Sequence, residues 1–192
     1  MKANRMEAFS DGVLAIIITI MVLEFKTPEG HEWHVLLPLV PKIISYMLSF
    51  IYIGIYWNNH HHLLHLIKYM NGKIMWLNLL LLFWVSLIPF TTAWMGENQF
   101  APTPTAIYFI VHLVAATSYL LLQHTILGQH HKEFPLAKTI DHGFKNKITP
   151  ILYFLAAVFA YINIALSFLF YVIVTAIWFI PDKRIESALE IK

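Results

Sequence analysis

Apolar positions in this chain fall into long blocks rather than into the short alternation of strands. Six stretches stand out, near Ala8–Phe25, Val40–Trp57, Ile74–Met95, Thr105–Leu127, Ile148–Ile162 and Ile164–Ile180. The first four are each close to the roughly 20 residues that carry a helix across a bilayer. The last two run together, and as one helix they would be about 51 Å long, beyond a ~30 Å hydrocarbon core even when tilted. Asn163 lies at their junction, where an amide facing lipid is costly, so a tight turn is predicted there and two short spans result. Thr27-Pro28 and Thr103-Pro104 mark loops. Pro89 predicts a kink in the third span, with the Thr91 and Thr92 hydroxyls serving backbone groups that the kink frees. No repeat or linker interrupts the chain. The expected fold is an all-α polytopic membrane protein of six transmembrane helices, one domain over residues 1–192.

Composition supports this. Only 12% of the 192 residues are charged and 58% are hydrophobic, whereas soluble domains carry about 25% charged residues. A net charge of +2 without a basic run excludes a nucleic-acid binder. The absence of cysteine excludes disulfides, thiolate metal sites and cysteine nucleophiles. The apolar run Val13–Leu23 lacks a small-x-small cleavage site before Glu24, so it is expected to be a retained first span rather than a signal peptide.

The charges also orient the spans. With both termini cytoplasmic, Lys2, Arg5, Lys68, Lys73, Lys132, Lys138, Lys145, Lys147, Lys183, Arg184 and Lys192 lie inside, and only Lys26 and Lys42 lie outside. That asymmetry follows the positive-inside rule, and a five-span chain would break it by putting Lys183 and Arg184 outside. Glu24, Glu29, Glu32 and Glu97 fall in the external connections, where they would concentrate cations.

The first span carries the least ordinary pattern. Arg5, Glu7 and Asp11 cluster at its start, where ionisable groups near hydrocarbon need partners. Arg5 and Asp11 are poorly spaced to pair along one helix, so their partners are expected on other spans. Phe9, Val13, Ile16, Ile20 and Leu23, at spacings of 4, 3, 4 and 3, form one apolar stripe with Thr19 beside it. Such a stripe suits helix packing or lipid contact as well as a pore lining. The second span ends in Trp57, then His60, His61, His62 and His65. His61 and His65 share a helical face and could hold a metal, but no HExxH pattern is present and interfacial anchoring serves as well. No metal site is assigned. Asn78 in the third span is placed to satisfy a polar group of the first. No GxSxG, phosphate loop or TVGYG-type filter occurs, so neither a common enzyme nor an ordinary potassium filter is indicated. A histidine-based membrane metal transporter or metalloenzyme is the alternative.

Arg5-Met6-Glu7-Ala8-Phe9-Ser10-Asp11 resembles RxxxFSD, the signature that opens span one in the transmembrane protein 175 family of potassium channels. Ser45-Tyr46, Tyr56-Trp57 with His60-His61, and Leu77-Asn78 through Pro89-Phe90-Thr91-Thr92 are also similar. The resemblance is strong over the first half of the chain and rests on span count in the second. It implies a potassium-permeable channel of the prokaryotic single-repeat branch, a homotetramer in the plasma (inner) membrane with span one lining a central pore. By position after the motif, Ile16, Ile20 and Leu23 would form the constriction, and Thr19 would bear on ion preference. Arg5, Phe9, Ser10 and Asp11, with Trp57, His60, His61 and Asn78, would tie span one to its neighbours. The implied partners are K+, the lipid bilayer and copies of the chain itself. No cofactor is needed, and no enzymatic activity is implied.

Overall fold

A computed structural model describes residues 3–129 and 143–179. Within them the helices are α1 (Ala3–Leu23), α2 (Val40–Leu64), α3 (Gly72–Ser86), α4 (Ile88–Glu97), α5 (Pro102–Leu127), α6 (Phe144–Phe159) and α7 (Ile164–Phe179). A short 3-10 helix, Trp33–Leu39, leads into α2. No strand occurs among the described residues. Lys2, Lys132, Lys138, Lys183, Arg184, Lys192 and the last residue of the sixth apolar stretch, Ile180, lie outside them.

Four stretches are long and apolar enough to cross a membrane: Asn4–Leu23, Trp33–Leu64, Gly72–Glu97 and Pro102–Leu127. The shorter α7 is apolar, and α6 carries Lys145 and Lys147 in its first turn. Local chemistry sets the breaks. The Asn71 side chain accepts from the Ile74 N–H at 2.9 Å and starts α3. Pro89 lacks the N–H that would continue α3, so the third stretch divides at Leu87 into α3 and α4. There the Thr92 hydroxyl donates to the Ile88 carbonyl at 2.7 Å, and Thr91 reaches the Leu87 and Ile88 carbonyls. The turn at Asn163 is present: α6 stops at Phe159, and the Asn163 side chain accepts from the Leu166 N–H at 3.1 Å to begin α7.

Several helix ends differ from the apolar stretches. α1 begins at Ala3 rather than Ala8, and α2 continues to Leu64 rather than stopping at Trp57. Polar residues do not end α2, and Asn59 finds partners within it and beyond it: it donates to the Ile55 carbonyl at 2.8 Å and to the Trp178 carbonyl at 3.3 Å, while Tyr119 donates to the Asn59 carbonyl. The 3-10 helix before α2, with Pro38 inside it, had no signal in the apolar blocks.

Contacts between helix ends fix the alternation of direction. Glu7 near the start of α1 meets His61 near the end of α2. Lys42 at the start of α2 meets Glu97 at the end of α4, with Nζ and Oε1 2.8 Å apart. Gln129, just past α5, bonds the backbone of Lys68 and Tyr69 in the α2–α3 turn. Tyr161, in the α6–α7 turn, bonds Thr103 in the first turn of α5. Arg5, Lys68, Lys73, Lys145 and Lys147 therefore share one end of the bundle. At the other end α4 approaches α2 so closely that a Cβ on Gly96 would lie 2.9 Å from the Lys42 Cα and strike the Ser45 hydroxyl; only glycine fits.

α5 is the central helix, packed by α3, α4 and α6. At mid-bundle His112 is enclosed by the rings of Tyr52, Tyr108, Tyr153 and Tyr171, and its Nδ1 lies 2.8 Å from the Tyr108 carbonyl. Tyr171 donates to the Leu48 carbonyl at 2.8 Å, bracing α7 on α2.

Candidate functional site

α1 packs on α2, α3 and α4 along one face only. Met6, Ser10, Leu14, Ile17 and Met21, at spacings of 4, 4, 3 and 4, are buried there. The other side is open: Ile16 is 57% exposed, Ile20 40% and Leu23 78%, with Thr19 and Phe9 also exposed. At 100° per residue the two stripes lie about 120° apart, so the side chains that hold α1 are not those it presents. The Thr19 hydroxyl donates back along its own helix, 2.9 Å from the Ile16 carbonyl and 3.1 Å from that of Ala15. Its oxygen lone pairs are thereby left facing outward. An open groove of about 470 Å³ runs beside this face, lined by Val13, Ile16 and Ile20 of α1 and by Pro89, Phe90 and Ala93 of α4.

A chain of polar side chains anchors the buried face. Ser10 donates to the Met6 carbonyl at 2.8 Å and accepts from Asn78 Nδ2 at 2.9 Å; Asn78 Oδ1 lies 2.8 Å from His60 Nε2. Since the amide oxygen can only accept, His60 Nε2 carries the proton. Ser10, Asn78 and His60 are all buried, so each needs the next. Alongside, Trp57 Nε1 donates to Asp11 Oδ1 at 3.1 Å. Three helices are thus joined at one level: α1 by Ser10 and Asp11, α2 by Trp57 and His60, α3 by Asn78.

One turn nearer the end of the bundle lies a second cluster. Glu7 Oε1 stands 2.9 Å from His61 Nδ1 and 3.6 Å from His65 Nε2. His60 is turned to Asn78 and takes no part, so the four histidines of this segment do not converge. Arg5 is exposed and has no hydrogen bond or ion pair among the described residues. At the opposite end Glu97 is engaged by Lys42 and Glu32 pairs with His34 at 3.0 Å. Of the four acidic residues expected to draw cations, Glu97 is therefore compensated by a lysine.

The whole chain is similar to known proteins. A potassium channel from Chryseobacterium sp. (strain P1-3) is 50% identical over 192 residues, 99% of each chain. A family profile described as endosomal/lysosomal potassium channel TMEM175 matches residues 5–89. The chain belongs to the TMEM175 family. A potassium channel from Streptomyces collinus is 36% identical over 129 residues, 63% of each chain. The crystal structure of a lysosomal potassium-selective channel TMEM175 homolog from Chamaesiphon minutus superposes with a TM-score of 0.81 at 29% identity, covering 92% of this chain and 95% of that one.

Membership of the TMEM175 family, with its apolar helices, makes this an integral membrane protein and points away from an enzyme. The profile runs from Arg5 to Pro89, the stretch that supplies Ser10, Asp11, Trp57, His60 and Asn78. The structural likeness reaches further, through α5, α6 and α7, where the sequence offered only span count. Glu7 is the site residue that sequence reasoning did not single out as a partner of the histidines. It sits 54 positions before His61, and the i, i+4 spacing of His61 and His65 was the only visible half of the cluster.

Proposed function

We propose that this protein is a potassium-permeable channel in which four copies assemble around an axis lined by α1. The carrying observation is the uncovered, uncharged face of α1, on a helix whose buried face is anchored through Ser10 and Asp11, in a chain that is 50% identical to a bacterial potassium channel. Four such faces place rings of Ile16, Ile20 and Leu23 around the axis. Rings of branched apolar side chains narrow a pore and gate it by dewetting. No carbonyl cage is available, so ion preference comes from the cost of removing hydration water, which is lower for K+ than for Na+. The Thr19 oxygens add a weak ligand, and modest potassium selectivity follows.

The groove between α1 and α4 supports the assembly, because Phe90 and Ala93 offer a neighbouring copy's α1 an apolar seat. The basic end of the bundle faces the cytoplasm by the positive-inside rule, which puts the network and both termini on that side. We place the protein in a prokaryotic plasma membrane. Passive conduction requires K+, lipid and the other copies of the chain, and no cofactor.

Liposomes under a potassium gradient test this reading. The purified protein should release K+ and run as four protomers in detergent. Ile16→Asn should raise the flux several-fold and reduce the preference for K+ over Na+, because an amide ring wets the constriction. Absence of flux from folded protein, or unchanged flux in Ile16→Asn, would overturn it.

A further inference from the structure

The strongest feature that conduction leaves unused is the Glu7, His61 and His65 cluster. One donor atom from each lies within 4.8 Å of the others. The two histidines are four residues apart, His61 in the last turn of α2 and His65 capping its end, and the carboxylate comes from α1. His61 bridges the pair, with Nδ1 2.9 Å from Glu7 Oε1 and Nε2 3.1 Å from His65 Nε2. His65 Nε2 lies 3.6 Å from the same carboxylate oxygen. Only one nitrogen of His61 can ligate, so the measure of the site is the 4.8 Å within which one donor atom from each side chain lies. Tetrahedral zinc, with bonds of about 2.0–2.2 Å, sets its ligand atoms roughly 3.3–3.6 Å apart, and side-chain rotation must close that difference around the ion.

We propose that Glu7, His61 and His65 form a binding site for a divalent transition metal of the zinc class, and that the bound ion holds the first turns of α1 against the end of α2. Two imidazoles and a carboxylate suit Zn2+ and related ions, whereas Mg2+ and Ca2+ prefer all-oxygen sets. Three protein ligands leave a fourth position for water. The cluster is accessible: the His61 and His65 side chains are 40% and 45% exposed and that of Glu7 is 19% exposed. An ion can therefore reach it from the solvent at that end of the bundle. Partners that limit movement surround it, since the Trp57 ring lies 6.4 Å from that of His61 and its indole N–H holds Asp11.

Coordination by residues of two helices adds a cross-link one turn beyond Ser10, Asn78 and Asp11. α1 is the helix whose free face we assign to the pore, so a staple at its start resists its displacement and reduces conduction. Binding stands on the geometry alone. Inhibition rests on the channel reading as well.

The experiment uses the full-length protein and ZnCl2 in metal-free buffer. Calorimetry should give one Zn2+ per chain, reversed by EDTA, and Co2+ in place of Zn2+ should show the visible absorption of a four-coordinate site. Binding should weaken at least tenfold in His65→Ala and in Glu7→Gln, while His62→Ala, outside the cluster, keeps it. Zn2+ should raise the Tm of the wild type and not of His65→Ala. In liposomes Zn2+ applied to the side bearing the cluster should lower K+ flux several-fold, an effect lost in both variants. No binding by the wild type, or equal binding by His65→Ala and Glu7→Gln, would overturn the site. Stoichiometric binding without change in an existing K+ flux would overturn its regulatory role. Binding by a protein that conducts no K+ would overturn the channel reading and leave the metal site standing.

Discussion

α1 and α5 are both long and apolar, with no charged residue in α5 and none in α1 beyond Asp11, yet the fold treats them oppositely. Of the most apolar stretch of α5, 61% is buried inside the chain; for α1 the figure is 28%. α5 is enclosed by α3, α4 and α6, and its aromatic residues build the interior of the bundle. α1 lies at the edge with Ile16, Ile20 and Leu23 uncovered. The centre of a single copy is thus a packed support, and the face of α1 that we propose for the pore is one that the fold leaves open. Apolar content alone does not separate the two roles, because lipid, a neighbouring helix and a dewetting pore all accept the same side chains.

Truncation on the two helices gives the largest contrast. Phe109→Ala empties a fully buried position in α5, and losses of this kind are about 3–5 kcal/mol; the melting temperature should fall sharply. Leu23→Ala removes a side chain that is 78% exposed and should leave the protomer's Tm nearly unchanged while altering K+ flux. Equal loss of stability in both variants would erase the distinction. An intermediate effect is expected where α1 is anchored. Asn78→Ala strips partners from Ser10 and His60 together, at a cost of about 1–2 kcal/mol. The thermal shift of Asn78→Ala should shrink in the background of Ser10→Ala, since both remove the same bond. The smallest effect belongs to the exposed end. Lys42→Met breaks the half-exposed pair with Glu97, worth less than about 1 kcal/mol, and its Tm change should vanish in high salt.

How far the sequence reached follows the same contrast. Features set by neighbours in the chain were legible. The Asn163 turn and the Pro89 break reflect a missing N–H or an amide that must be satisfied locally. The spacing of Phe9, Ile16, Ile20 and Leu23 fixes a stripe on any helix. What depends on distant parts of the chain was not. α2 runs to Leu64 through two asparagines and three histidines, with Asn78 meeting His60 and with Trp178 and Tyr119 meeting Asn59, and no local rule contains those partners. Glu7 joins His61 only because α1 and α2 are antiparallel. The compensation of Glu97 by Lys42 likewise follows from the close approach of α2 and α4 at Gly96. In each case a polar residue near hydrocarbon signalled that a partner must exist without saying where.

The chain contains no cysteine, so single substitutions report without background. Ile16→Cys, Ile20→Cys and Leu23→Cys on α1, and Leu121→Cys on the exposed side of α5, can each be treated with a water-soluble, charged thiol reagent during K+ current recording. The account predicts progressive block at the three α1 positions, protection by occluding permeant ions, and no change at Leu121. Current that persists after complete modification of Ile16→Cys, Ile20→Cys and Leu23→Cys would contradict a pore lined by the free face of α1.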